Sequence, residues 1–259
     1  MFQLSASVSM VLPGQPLAER VHLLRDAGLG IGLWDPTDDA VDAILTTGAR
    51  TTIMNGFGAG NIVQPDAAEQ MLASAEALIP IAKKLGAPLM NLHGAKLTSD
   101  GPAATPVTEV SDAMRATAND TLCRFAELGA AHDVIFGLEN LNPTDHPGVP
   151  LASGADVIAL IREVDSPHVR VNFDVYHAAR AGEDVIALLA DVTDIAAEIQ
   201  LADSPTRHWP GEHRLDFGAI AAQLSVAGYC GSVALEGWIL RDAHDALNEF
   251  LNLFGEDPK

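Results

Sequence analysis

The feature that constrains this chain most is a repeated switch of hydrophobic period. Short apolar runs alternate with longer segments of helical spacing, and the pair recurs eight times. Leu4–Ser9, Ile31–Trp34, Thr51–Met54, Pro88–His93, Val134–Glu139, Val169–Asp174, Ile195–Leu201 and Ser232–Glu236 read as strands. Between and after them, Leu17–Ala27, Asp38–Thr47, Asp66–Leu85, Glu109–Ala131, Ala155–Val164, Val185–Leu189, Phe217–Ala227 and Ala243–Phe254 read as helices. Spreading 259 residues over eight pairs gives about 32 per pair, the size of a βα unit in a closed barrel. An open doubly wound sheet holds the same units, but no GxGxxG opens a helix after the first strand. The sequence therefore reads as α/β, a (β/α)8 barrel forming a single domain over residues 1–259, with no linker dividing it.

Charge narrows the partners. Against 15 Lys and Arg stand 35 Asp and Glu, for a net charge of −20 with the histidines neutral. A field of that sign repels phosphate backbones and anionic membranes, so neither nucleic acid nor membrane is an expected partner. No apolar run approaches the roughly 20 residues of a membrane span. Cys123 and Cys230 form no CxxC, which indicates neither a disulfide framework nor a cysteine-zinc site. The start of the chain lacks the basic and apolar regions of a secretory signal. These features describe a cytoplasmic enzyme acting on a small molecule and compatible with a homo-oligomer.

Four strands end in a polar residue after an apolar run: Glu139, Asp174, Gln200 and Glu236, on strands five to eight. In a barrel all strands run parallel, so these side chains meet at the C-terminal mouth, where barrel enzymes do their chemistry. Three converging carboxylates repel one another unless a cation lies between them. Taken singly, a strand-end Glu is an ordinary surface charge and an Asp there an ordinary helix cap; their recurrence at successive strand ends argues for a site. The donors are all oxygen, which suits one Mg²⁺ or Mn²⁺ better than zinc.

Other residues gather round the same mouth. His93 ends strand four and either lines the pocket or is a satisfied core histidine; His177 leans over the mouth or only bonds backbone. The loop after strand seven carries Arg207 and His208, donors for a hydroxyl or carboxylate. Trp34 and Trp238 wall the pocket or simply pack. Gly56–Gly60 lacks the Lys-Ser/Thr of a phosphate loop and reads as a mobile lid or a turn.

Gly137-Leu138-Glu139-Asn140-Leu141-Asn142, Asn172-Phe173-Asp174-Val175-Tyr176-His177, Ile199-Gln200-Leu201-Ala202-Asp203-Ser204-Pro205 with Arg207, and Ala234-Leu235-Glu236-Gly237-Trp238 together resemble the xylose isomerase-like TIM-barrel superfamily. Within that sugar isomerase and epimerase group, the pattern is most similar to the hydroxypyruvate isomerase type. The resemblance implies a divalent metal held by Glu139, Asp174, Gln200 and Glu236, with Glu139 and Glu236 as acid and base, and His177 and Arg207 on the substrate. Gln200 matters because the ketose 3-epimerase branch usually carries His there. Two departures stand out: Gly32 where many relatives end strand two with Glu, and Arg214 where a Glu is common. Arg214 is either a second clamp or a partner of Glu212 or Asp216.

The chemistry so implied moves a carbonyl between adjacent carbons of a hydroxypyruvate-like compound, short sugar or sugar acid through a cis-enediolate. The alternatives on the same barrel are a ketose 3-epimerase and an inosose or dehydroshikimate dehydratase. An endonuclease IV-like hydrolase needs a histidine-rich zinc cluster, and Met54-Asn55-Gly56 offers no histidine after strand three.

Overall fold

A computed structural model describes residues 2–255. Eight parallel strands close into a barrel in sequence order, so each pairs with its chain neighbours and the eighth with the first. They are β1 (Gln3–Ser7), β2 (Gly30–Leu33), β3 (Thr51–Asn55), β4 (Leu89–Leu92), β5 (Ile135–Glu139), β6 (Val169–Asp174), β7 (Ala196–Leu201) and β8 (Ser232–Leu235). Around them lie α1 (Leu17–Asp26), α2 (Asp38–Thr47), α3 (Pro65–Leu85), α4 (Asp112–His132), α5 (Gly154–Val164), α6 (Val175–Ala181), α7 (Val185–Val192), α8 (Phe217–Val226) and α9 (Ala243–Phe254). None is long and apolar enough to cross a membrane.

Most elements lie where the hydrophobic period puts them, and the differences are local. The helix expected from Glu109 begins at Asp112, because the Ser111 side chain accepts from Met114 N–H and caps it there. The first strand stops at Ser7, where Met10 N–H bonds back to the Ser7 carbonyl in a turn. Helix α6 has no counterpart among the expected elements. It starts directly at the end of β6, with the Asp174 side chain accepting from His177 N–H, and ends one residue before Gly182 in the left-handed region.

Strand residues alternate between two environments. Val171, Phe173, Ile199, Leu201, Val233 and Leu235 belong to the apolar core that packs beneath the helices. Their neighbours Asn172, Asp174, Glu198, Gln200 and Ala234 occupy the alternate positions and are equally buried, so they fill the inside of the barrel. The interior is small and polar where many barrels are apolar. Gly137 shows how tightly it is filled: a Cβ there would stand 3.1 Å from both the Asn172 Cβ and the Leu89 Cδ1. That alternation delivers polar side chains to the C-terminal mouth.

Candidate active site

Strand register pairs two of the four proposed ligands and offsets the other two by two residues, Glu139 lying opposite Asn172 and Gln200 opposite Ala234. Asp174 is the last residue of β6 and pairs with Gln200 of β7; Glu139 ends β5. Glu236 follows β8, its N–H bonded to the Leu201 carbonyl. All four are buried, between 0% and 5% exposed, and Glu139 and Glu236 line a cavity of about 410 Å³. A volume of that size is ordinary for a small-molecule site. Trp34, Phe57, Lys96, Glu139, His177 and Glu236 are among its lining residues.

Each carboxylate has its own surroundings. Glu139 Oε2 accepts from Asn91 Nδ2 and lies 3.1 Å from His93 Nε2. The Asn91 amide is oriented by Asn172, whose Nδ2 donates to Asn91 Oδ1 at 2.7 Å, leaving the Asn91 NH₂ to face the carboxylate. Burial pushes Glu139 up, but these donors and the charge of Arg207 outweigh it and hold it below the ordinary value. Glu236 has no such donors on Oε2, and burial drives it well above the ordinary carboxylate range in spite of Arg207. Burial, reinforced by the charge of Glu139, raises Asp174 to about 7.

Arg207 is the cation among them. Its Nη2 donates to Asp174 Oδ2 at 3.0 Å and to Glu236 Oε1 at 2.8 Å, and its guanidinium stands 5.0 Å from the Tyr176 ring centroid. The backbone supports this placement: Arg207 adopts a positive φ of 55°, its N–H bonds the Asp203 carbonyl, and its carbonyl accepts from Trp238. Asp203 organises the rest of the loop, its carboxylate accepting from the N–H groups of Ser204, Arg214 and Leu215. Gly211 is required here, since a Cβ would stand 2.2 Å from the Asp203 Cβ.

His177 is fully buried, with Nε2 3.5 Å from Asp174 Oδ2 and 3.7 Å from Glu139 Oε1. A cluster of Glu139, Asp174 and His177 at this spacing is one that a metal ion fits. The tautomer bears on which of the three is a ligand. Asn142 Oδ1 accepts from Asp145 N–H, so its Nδ2 is the atom 2.7 Å from His177 Nδ1, and that nitrogen must accept. Burial and Arg207 hold the imidazole well below its ordinary pKa and hence neutral, so its proton sits on Nε2. A protonated Nε2 is a donor and does not ligate, and it has no hydrogen-bond partner among the described residues.

Several expected residues lie elsewhere. His208 is exposed and lines a separate groove with Trp209, Trp238 and Leu240, because the left-handed turn at Arg207 sends successive side chains opposite ways. Trp238 likewise walls that groove and not the active-site cavity. Arg214 pairs with Glu212 at 2.7 Å, both exposed, and is no second clamp. Arg207 itself is engaged by two carboxylates. The segment Gly56–Gly60 is a packed turn: Gly58 and Ala59 N–H bond Ser74 Oγ, and a Cβ on Gly60 would lie 2.0 Å from the Ala67 carbonyl oxygen. Trp34 and His93 do line the cavity. The residues that sequence reasoning missed are Asn91, Asn142, Lys96 and Asp203. Asn142 had a signal, lying two residues beyond Asn140 and three before Asp145, a turn-forming spacing.

A family model described as xylose isomerase-like TIM barrel matches residues 10–253. The chain belongs to that family. It is 23% identical over 245 residues to a 2-oxo-tetronate isomerase of Pectobacterium atrosepticum, covering 90% of each chain. To a hydroxypyruvate isomerase of Escherichia coli it is 25% identical over 132 residues, 51% of each. Among solved structures, an AP endonuclease of family 2 from Brucella melitensis superposes with a TM-score of 0.82 at 20% identity, over 97% of this chain and 99% of that one. This last likeness concerns the fold.

Proposed function

We propose that this chain is a metal-dependent isomerase that moves a carbonyl between adjacent carbons of a small hydroxy-carbonyl compound, a 2-oxo acid or short sugar acid. The names of the two curated relatives support isomerisation of such acids. The observation that carries the reading is the meeting of Glu139 and Glu236, from β5 and the end of β8 with two strands between them, in one cavity beside Asp174 and Gln200. An isomerase of this kind must take a proton from one carbon and return one to its neighbour, and paired carboxyl groups do that work.

The donor set fits a divalent cation. Gln200 Oε1 and Glu236 Oε2 are buried without hydrogen-bond partners, and burial with mutual repulsion raises Asp174 and Glu236. Glu139, Asp174, Gln200 and Glu236 would hold Mg²⁺ or Mn²⁺ through oxygen. Such an ion would polarise a carbonyl and its neighbouring hydroxyl, making the C–H of the hydroxyl-bearing carbon acidic. Glu139 and Glu236 then exchange the proton. His177 Nε2–H donates to an oxygen that gains charge, and Arg207 fixes the carboxyl groups of Asp174 and Glu236 in place. Trp34 and Phe57 exclude water from the cavity.

The test is a screen of 2-oxo acids, sugar acids and neutral ketoses in D₂O, with and without added Mg²⁺ or Mn²⁺. Solvent deuterium at the carbon next to the carbonyl, with a shifted carbonyl in the product, is expected. A conjugated product lacking a hydroxyl, or an inverted centre with the carbonyl unmoved, would replace isomerisation by dehydration or epimerisation.

A further inference from the structure

The active-site cavity carries opposite charge at its two ends. Glu139 and Glu236, with Asp174 beside them, form its buried floor. The other end is built by Lys96, Leu97, Thr98 and Ser99, of which Thr98 and Ser99 are exposed and mark the rim. Lys96 is half-buried there. Lys83 donates to the Asp133 carbonyl and Lys84 faces Asp42, whereas the Lys96 ammonium has no ion-pair or hydrogen-bond partner among the described residues.

The remaining basic groups of the cavity are committed. Arg207 is bound by Asp174 and Glu236, and His93 lies against Glu139. His177 Nδ1 is taken by Asn142, and His146 Nδ1 by the Gly101 carbonyl. Lys96 is therefore the free cation of this cavity among the described residues. Its backbone is fixed although its side chain is unbound: Lys96 N–H bonds the Gly60 carbonyl at 2.8 Å, and Ala104 N–H bonds the Lys96 carbonyl at 2.7 Å. Bridges from Asn61 to Ala95 and from Leu97 to Ala103 flank it. A flexible ammonium on a fixed stem suits a charged group of varying position.

The fold makes no use of that side chain, yet the chemistry of an acidic substrate requires a cation. A chain of net charge −20, with carboxylates on the cavity floor, repels an anion unless positive charge meets it at the entrance. We propose that Lys96 is the specificity-determining residue of this site, its ammonium binding the carboxylate of an acyclic hydroxy acid whose hydroxy-carbonyl end reaches Glu139 and Glu236. The inference rests on the isomerase reading for the identity of that reacting end. It assigns the recognition of charge to Lys96 and leaves Arg207 to the floor.

Calorimetric titration with D-erythronate, a four-carbon acid, and with neutral erythritol tests it without turnover. The wild-type protein should bind erythronate more tightly; Lys96→Gln should weaken erythronate by roughly 10- to 150-fold and leave erythritol unchanged, while Lys96→Arg restores most of the difference. In turnover, Lys96→Gln should raise KM for acids with little change in kcat. Equal binding of the two probes by the wild type, or unaltered erythronate binding by Lys96→Gln, overturns the proposal. If the charge preference depends on Lys96 but no substrate acquires solvent deuterium, the isomerase reading fails and the assignment of Lys96 stands.

Discussion

Replacing Asn142 by Asp would invert the hydrogen bond that sets the His177 tautomer. In the structure the Asn142 amide donates to His177 Nδ1 at 2.7 Å and to Asp145 Oδ2 at 3.0 Å, and the imidazole presents Nε2–H to Glu139 and Asp174. A carboxylate at position 142 has no proton to give, so Nδ1 must become the donor. Without the Nε2 proton the ring turns a lone pair towards two carboxylates and loses the hydrogen bond it would offer a substrate oxygen. Removing one such donor from an enclosed site lowers kcat by roughly 10²-fold. The new charge also stands about 3 Å from Asp145, a repulsion near 5 kcal/mol at an effective dielectric of 20. Asp145 is 29% exposed and can relax towards Arg180, so a net loss of about 2 kcal/mol is expected. The double variant Asn142→Asp, Asp145→Asn separates the effects: stability recovers, turnover does not. Heteronuclear NMR of the imidazole nitrogens reports the tautomer directly. An Nε2–H signal in both wild type and Asn142→Asp, or turnover regained with stability in the double variant, would refute the reasoning.

Other consequences are open to direct measurement. Glu139→Gln and Glu236→Gln keep an oxygen at each position but remove the proton carrier, so each should lower kcat by at least about 10²-fold; near-normal turnover in both would deny them that role. Chelation should abolish activity, and Gln200→Leu should weaken Mn²⁺ binding measured by titration, because the orphaned Gln200 oxygen is an intended donor; unchanged affinity would remove Gln200 from the site. Glu198 is fully buried, and burial raises it to about 7 from 4.5 even though Ser232 donates to it. Between those values the folded chain holds a proton that the unfolded chain releases, so stability falls as pH rises from about 4.5 to 7. In chelator, Glu198→Gln should match the wild type at the acid end of that window and exceed it above pH 7, as read by denaturant unfolding; parallel pH curves would show that Glu198 is not buried as a proton carrier.

How much of this was legible beforehand depends on the range of the interaction. Hydrophobic period is a local property, and it specified the eight units and their alternation, because each strand and helix must bury one face whatever its neighbours are; closure rested on the count of units and the lack of a GxGxxG turn. The strand-end residues Glu139, Asp174, Gln200 and Glu236 were legible for the same reason: parallel strands put all their C-terminal ends on one side. Helix α6 was missed because its cap, Asp174, is also a strand terminus, and a seven-residue helix gives little period to detect. The direction of loop side chains was decided by tertiary structure alone. His208 and Arg207 are adjacent in sequence, and only the backbone turn held by Asp203 sends one into the cavity and the other to the surface. Arg207 and Lys96 are both basic residues near the mouth, but which one is free depends on Asp174 and Glu236 lying within 3.0 Å of the former. Sequence thus determined which strand-end residues reach the mouth of the barrel. Folding decided how they share charge and protons, because those energies depend on separations of a few ångströms between residues 29 to 81 positions apart.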